Sequence, residues 1–144
     1  MSNNKIIAAV DLSHKDWDTH VVKEAILLAK THNADIELVF VIPDQQNSYV
    51  QEYIPAEMRD QVNVDAAKDL KAYADTFDWQ GISRSENVLR GVVYETLIKH
   101  ADTVSARFIV IGANKPSVSD LFIGPNAARV ARHAACSVLV VRPE

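Results

Sequence analysis

Residues 108–130 read FIVIGANKPSVSDLFIGPNAARV, and the rest of the chain is organised around this stretch. It begins with aromatic and β-branched residues, Phe108 to Ile111, which predict a strand that ends at Gly112. A polar loop follows, and Gly124-Pro125 then opens an Ala-rich helical segment. A strand, a loop and a helix in this order bring backbone N–H groups and the positive end of a helix dipole to one point, which favours an anion such as phosphate. Glycines that only end a strand and precede a helix would give the same pattern.

The length and composition indicate one globular domain spanning residues 1–144. A chain of 144 residues can bury a core without disulfides or metals, and its 48% hydrophobic and 24% charged residues are typical of a soluble protein. The formal net charge of -4 gives no general affinity for polyanions. Nucleic acid is therefore not an expected partner.

Two further features bear on the compartment. The single cysteine, Cys136, cannot form an intrachain disulfide and lies among apolar residues, which favours a buried, inert thiol in a reducing environment. The N-terminal apolar run is too short for a signal peptide, and no apolar run approaches membrane-spanning length. We therefore expect a cytoplasmic protein that is neither exported nor embedded in a membrane.

Strands and helices alternate along the chain. Apolar runs predict five strands, at residues 6–10, 36–42, 82–89, 108–111 and 138–141. Apolar residues at helical spacing predict helices over residues 16–32, 58–77 and 93–104 and from Pro125 onward, and Asp16 or Asp18 is available at the start of the first. The polar segment from Pro43 to Ile54 predicts a mobile loop, and the third strand is polar enough to lie near a sheet edge.

This alternation predicts a doubly wound α/β sandwich with a five-stranded parallel sheet in the order 3-2-1-4-5, because each crossover returns over the sheet in the right-handed sense. Ligands of such sheets bind outside the carboxyl ends of the strands, where the winding reverses. Asp11 and Gly112 each follow a predicted strand and face each other there if the first and fourth strands are neighbours. A purely local role for Asp11, as an Asx turn or a helix cap, is the alternative.

Four segments resemble the universal stress protein family. They are IIAAVDLS at the first strand, FVIP at the end of the second, FIVIGANKPS, and LFIGPNAARVARHAACSVLVVR near the C-terminus. The resemblance extends over essentially the whole length of the chain, and these segments are its strongest matches. The resemblance implies a Rossmann-like or flavodoxin-like sandwich that forms a homodimer through the last strand, Val138 to Val141, and binds ATP or AMP, with or without Mg2+.

The resemblance also implies individual site residues. The family's nucleotide motif reads Gly, two residues, Gly, nine residues, Gly, and then Ser or Thr. Its first and third glycines correspond to Gly112 and Gly124. The aspartate that holds the ribose corresponds to Asp11, and the backbone that receives adenine lies near Val41.

The chain departs from this motif at three points. Asn114 or Lys115 replaces the second glycine, the loop is one residue shorter, and Pro125 replaces the final Ser or Thr. The Asn-Lys-Pro-Ser sequence resembles a short-loop branch of the family, so the shorter loop is compatible with binding. Pro125, however, offers neither a hydroxyl nor a backbone N–H to a phosphate. The remaining donors are the hydroxyls of Ser117 and Ser119, the ammonium of Lys115, the amide side chain of Asn126 and the backbone N–H groups of Asn126 and Ala127.

Other chemistry has less support in the sequence. Lys115 is either a solvated loop charge or a partner for phosphate. The set His14, Asp16, Asp18 and His20 does not predict a metal site, because alternate residues diverge on a helix. His133 is expected near the negative end of the last helix dipole. The chain has no nucleophile motif, Walker lysine or arginine finger, so any ATP hydrolysis would be slow.

These observations predict a dimeric adenine-nucleotide-binding module of the stress response, whose occupancy alters the surface offered to an unidentified protein partner. The alternative is an interaction-only family member without nucleotide affinity, because Pro125 and the missing second glycine weaken the phosphate site. An aspartyl-phosphate switch on a similar fold is disfavoured, since the third strand ends in Leu89-Arg90-Gly91 without an acceptor carboxylate.

Overall fold

A computed structural model of the chain describes residues 4–43, 55–113 and 125–143. The strands are β1 (Lys5–Ala9), β2 (Asp35–Pro43), β3 (Arg84–Gly91), β4 (Phe108–Gly112) and β5 (Ser137–Val141). The helices are α1 (Thr19–His32), α2 (Ala56–Ala74), α3 (Val93–Val104) and α4 (Pro125–His133), with a short 3-10 turn at Leu12–His14. The loop predicted after Pro43 lies outside the described residues. In the described part of the chain, no helix is both long and apolar enough to cross a membrane.

The five strands form one parallel sheet in the order β3-β2-β1-β4-β5, which confirms the predicted topology. β1 lies in the centre, between β2 and β4. Ala9 at its carboxyl end is opposite both Val39 of β2 and Ile111 of β4. The chain therefore leaves β1 and β4 side by side, and Asp11 and Gly112 lie at the same edge of the sheet.

Both faces of the sheet are covered, which explains why β1 and β4 are apolar without alternation. Ile6 and Ile7 are consecutive, point to opposite faces and are both fully buried. The face that carries Ile6 packs against α1 and α2, and the face that carries Ile7 packs against α3 and α4. Cys136 is half-buried beside the second of these cores, and burial raises the pKa of its thiol.

The apolar stripe of α2 is buried over only part of its predicted length. Leu70 and Tyr73 pack into the core, but Met58 and Val62 are 60% and 49% exposed. Spacing by three and four predicts the helix, but it cannot show which turns the sheet covers. The helix also ends at Ala74, earlier than predicted, and Phe77 packs edge-on against the Tyr73 ring from the turn that follows.

One acidic residue lies inside the apolar run of β2. Glu37 is buried, 7% exposed, and its carboxylate accepts a hydrogen bond from Nε2 of His100 on α3. The Nζ atom of Lys5 lies 3.8 Å from its other oxygen. These partners satisfy a carboxylate that would otherwise be costly to bury. They lie towards the amino ends of the strands, away from the edge where Asp11 and Gly112 lie.

Candidate functional site

A cleft of about 290 Å3 opens at the carboxyl ends of β1, β2 and β4. All the predicted site residues that the structure describes line it: Asp11, Val41, Gly112, Asn126 and Ala127. The other predicted site residues, Asn114, Lys115, Ser117 and Gly124, lie outside the described residues. Residues that are far apart in the sequence therefore meet in one cleft, at the point where the winding of the sheet reverses.

The walls of the cleft divide into an apolar and a polar part. The apolar part is formed by side chains of β2, α3 and β4: Val39, Val41, Val93, Leu97 and Ile111. The polar part consists of Asp11, Ser13, His14 and the start of α4. Ligand pockets commonly combine an apolar lining with a few polar groups that fix the orientation of the ligand. This arrangement suits a flat apolar ring that carries a polar extension.

Asp11 makes the local contact that its position predicts. Its Oδ1 atom accepts a hydrogen bond of 2.9 Å from the backbone N–H of Ser13, and the residue caps the 3-10 turn that follows. The side chain is exposed and lines the cleft. One bond occupies only part of the acceptor capacity of a carboxylate, so Asp11 can cap the turn and still accept a bond from a ligand.

Asp18 is a residue of the cleft that the sequence did not identify. Its side chain is buried, with the residue 7% exposed, and its Oδ2 atom accepts a hydrogen bond of 2.6 Å from the Asp11 backbone N–H. Burial raises the pKa of Asp18 to about 6, although the bond from Asp11 acts in the opposite direction. It occupies the N-cap position of α1 but makes no side-chain bond to the start of that helix. Asp18 is thus one of the two aspartates expected near the start of this helix, but its carboxylate bonds to the backbone at the end of β1.

The 3-10 turn also explains why α1 begins at Thr19, later than the sequence predicts. Two side chains tie this segment to its surroundings. Nε1 of Trp17 donates a bond of 3.2 Å to the carbonyl oxygen of Ala113, and the hydroxyl of Tyr73 donates one of 2.8 Å to the carbonyl oxygen of Lys15. Burial raises the pKa of Tyr73 to about 12, so its hydroxyl remains a donor at neutral pH.

Gly112 has a packing role that is independent of any ligand. A Cβ atom at this position would lie 3.1 Å from Oδ1 of Asp18 and 3.2 Å from Cγ2 of Val21. Both distances are closer than ordinary van der Waals contact. The end of β4 therefore approaches α1 so closely that a side chain at residue 112 would have to displace a neighbour.

The start of α4 forms the far side of the cleft. Pro125 is its first residue, as predicted, and the next two residues, Asn126 and Ala127, line the cleft with it. Backbone N–H groups in the first turn of a helix have no partner within the helix. Those of Asn126 and Ala127 are therefore not used within the helix itself, whereas Pro125 has no N–H. His133 is the last residue of this helix, where the dipole argument expects it.

Among residues 4–43, 55–113 and 125–143, no three His, Cys, Asp or Glu side chains are grouped closely enough to hold a metal ion. The described part of the cleft offers hydrogen-bond acceptors, backbone groups of the first turn of α4 and an apolar wall.

Comparison with known proteins identifies the family. A model of the universal stress protein family matches residues 2–142. The chain belongs to this family. It is 28% identical to universal stress protein G of Shigella flexneri over 139 residues, which cover 95% of this chain and 97% of that protein. It is also 28% identical to universal stress protein A homolog 1 of Coxiella burnetii over 144 residues, which cover 98% and 97% of the two chains.

Two solved universal stress protein structures that share the fold contain adenine nucleotides. The protein from Archaeoglobus fulgidus in complex with dAMP superposes with a TM-score of 0.68 at 20% identity, over 95% of both chains. A universal stress protein in complex with cAMP superposes with a TM-score of 0.69 at 21% identity, over 96% of both chains. At these identities the likeness concerns the fold.

Proposed function

We propose that this universal stress protein binds an adenine nucleotide, AMP or ATP, in the cleft at the carboxyl ends of β1, β2 and β4. The observation that carries the proposal is the meeting of Asp11, Val41 and the first turn of α4 in that one cleft. Relatives of the same fold hold dAMP and cAMP, so the fold is compatible with such ligands.

Each part of a nucleotide has a counterpart in the cleft. Adenine is apolar on its faces and would pack beside Val41 and Leu97. A ribose hydroxyl would donate a hydrogen bond to Oδ2 of Asp11. The bond from the Ser13 N–H to Oδ1 fixes the orientation of this carboxylate. The phosphate would accept bonds from the N–H groups of Asn126 and Ala127, at the positive end of the α4 dipole.

The proposal is tested first by mass spectrometry of small molecules released from freshly purified, denatured protein. Calorimetric titrations with AMP and ATP, each with and without Mg2+, then measure affinity for the native protein and for Asp11→Ala. Loss of a charge-assisted bond to the ribose should weaken binding by about 1.5 to 3 kcal/mol. Asp16→Ala is the matched control, since Asp16 is an exposed carboxylate between the 3-10 turn and α1 and does not line the cleft. Equal affinities for native protein and Asp11→Ala would exclude the ribose contact.

A second candidate function is interaction without nucleotide. Pro125 favours it, because this residue removes one backbone donor and the hydroxyl of the family motif from the start of α4. Under this alternative no nucleotide is released on denaturation, and neither AMP nor ATP gives a heat of binding at concentrations that saturate a nucleotide-binding protein.

We also propose a homodimer formed through β5. The two edges of the sheet differ in chemistry: β3 carries charges such as Arg84 and Glu86, whereas β5 reads SVLVV. Charged edge strands resist further pairing, and apolar ones favour it. Val138, Leu139 and Val140 are all only half-buried in the single chain.

The strand geometry supplies a sharp test of this dimer. The carbonyl oxygen of Val141 accepts a bond from Ala113 just beyond β4, so the backbone groups of Val141 point towards β4. Successive residues of a strand direct their backbone groups to opposite sides, and Val140 therefore points to the free edge. Val140→Pro should remove an outward N–H, leave the pairing with β4 intact and yield a monomer by light scattering. An unchanged dimer mass would place the interface elsewhere.

A further inference from the structure

The buried carboxylate of Asp18 lies at the cleft, and the proposed contacts with a nucleotide do not use it. We propose that Asp18 is a positioning residue for this site: its carboxylate anchors the backbone of Asp11 and thereby fixes the Asp11 side chain at the carboxyl end of β1. The inference rests on the proposed function, because it assigns Asp18 a role in ligand affinity through Asp11.

The hydrogen bond to Asp18 follows directly after the last sheet hydrogen bond of this segment. The N–H of Val10 still donates to Val39 of β2, at 3.0 Å. The N–H of the next residue, Asp11, has left the sheet and donates to Oδ2 of Asp18 at 2.6 Å. On its other side, Asp18 contacts the end of β4, where its Oδ1 atom lies 3.1 Å from the position that a Cβ of Gly112 would take. The Asp18 carboxylate therefore lies between the ends of the two strands that flank the cleft.

The charge of Asp18 matters for the strength of this anchor. A hydrogen bond to an ionised acceptor is shorter and roughly twice as strong as one to a neutral acceptor. Burial raises the pKa of Asp18 to about 6, so the group is ionised at neutral pH and becomes protonated in mildly acidic solution. Acidification should therefore loosen the Asp11 backbone and lower the affinity for ribose.

Other titratable groups face Asp18 and must be separated from it. Asp11 itself disfavours the charged form of Asp18, and His14 of the 3-10 turn favours it. From α2, the Tyr73 hydroxyl lies close enough to Asp18 for the Asp18 charge to raise the pKa of Tyr73, and Asp16 raises that pKa as well. From α1 and β4 the neighbours are Val21 and Gly112, which do not titrate. Because His14 acts on the charge of Asp18 and lines the same cleft, it requires its own control variant.

The first experiment measures adenosine affinity by calorimetry at about pH 8 and about pH 5. Adenosine is the probe because the phosphate of AMP itself titrates near pH 6. Native protein is expected to lose about tenfold in affinity on acidification. Asp18→Asn keeps an oxygen that can accept the Asp11 N–H but has no charge, so its affinity should be low and independent of pH. His14→Gln should keep the pH dependence of the native protein. A pH dependence that persists in Asp18→Asn and disappears in His14→Gln overturns the proposal.

The second experiment tests the anchor without a ligand. The amide resonance of Asp11 is followed by nuclear magnetic resonance over the same pH range, in native protein and in Asp18→Asn. We expect a downfield proton shift that titrates in the native protein and is absent in the variant. An Asp11 amide that responds neither to pH nor to the substitution overturns the proposal, even if adenosine binds. If the native protein binds no adenosine, the proposed function fails, and the amide titration still decides whether Asp18 anchors Asp11.

A merely structural role for Asp18 predicts a different result. Substitution would then alter thermal stability and leave the pH profile of adenosine affinity unchanged in shape. That outcome would also overturn the proposal, and circular dichroism of Asp18→Asn verifies that the comparison is made on folded protein.

Discussion

Asp18→Asn is expected to make the folded protein more stable at neutral pH, although it removes a hydrogen-bonded carboxylate. In the folded protein, burial raises the pKa of Asp18 from the ordinary 3.8 to about 6. Unfolding exposes the carboxyl group to water and returns its pKa to the ordinary value. Folding therefore disfavours the charged form, and Asp18 lowers the free energy of unfolding wherever it is ionised.

The sign and size of this effect follow from proton binding. Between pH 3.8 and about 6, the folded protein holds the Asp18 proton more tightly than the unfolded chain does. The free energy of unfolding consequently falls as the pH rises through this window, and the loss is complete above it. A pKa difference of about 2, at about 1.4 kcal/mol for each unit, gives a cost of about 3 kcal/mol at neutral pH.

Urea unfolding at about pH 7.5 and about pH 4 measures this cost. Asp18→Asn should raise the free energy of unfolding by up to about 3 kcal/mol at the higher pH, and the difference should nearly vanish at the lower pH, where native Asp18 is protonated. The exposed Asp16→Asn serves as the control and should change stability by less than about 0.5 kcal/mol at either pH. Equal destabilisation by Asp18→Asn at both pH values would refute the reasoning, because the effect of the substitution would then not depend on the charge of Asp18.

Two further predictions concern the phosphate site and the core. Pro125→Ser should raise ATP affinity about tenfold, and AMP affinity less, because it restores a hydroxyl and an N–H at the start of α4. Parallel titrations of native and variant protein with ATP and AMP measure this change, and an unchanged ATP affinity would contradict the prediction. Leu70→Ala should lower the free energy of unfolding by about 2 to 5 kcal/mol, because Leu70 is fully buried. Met58→Ala, on the exposed part of α2, should change the free energy of unfolding by less than about 0.5 kcal/mol in the same urea assay.

The sheet topology could be predicted because it depends on patterns that are local in sequence. Apolar runs without alternation predicted strands covered on both faces, and right-handed crossovers then limited the order of those strands. Element ends were less accurate, since they depend on contacts outside the pattern. Ile82 was assigned to β3 for its apolar character, but the strand begins at Arg84 and Ile82 packs against the core from the preceding turn.

Most of the described site could also be predicted, for a different reason. Strand ends fix where Asp11 and Gly112 lie, the family resemblance named Val41, and the donors left at the helix start beside Pro125 were Asn126 and Ala127. All of these residues line the cleft. Asp18 was missed because a local rule assigns an aspartate before a helix to its N-cap. Its actual partner is the N–H of Asp11, seven residues earlier, and the 3-10 turn that brings the two together carries no pattern that identifies it in advance.

The nature of the Asp18 anchor links stability to the proposed function. An asparagine at this position could also accept the Asp11 N–H, and it would avoid the cost of burying a charge. A carboxylate is thus a poor choice for stability alone, but it makes the stronger acceptor for a backbone group that must be held rigidly. Residues that lower stability at a ligand site commonly serve that site. In Asp18→Asn, stability at neutral pH should therefore rise while adenosine affinity falls, and an unchanged affinity would mean that Asp18 does not position Asp11 for the ligand.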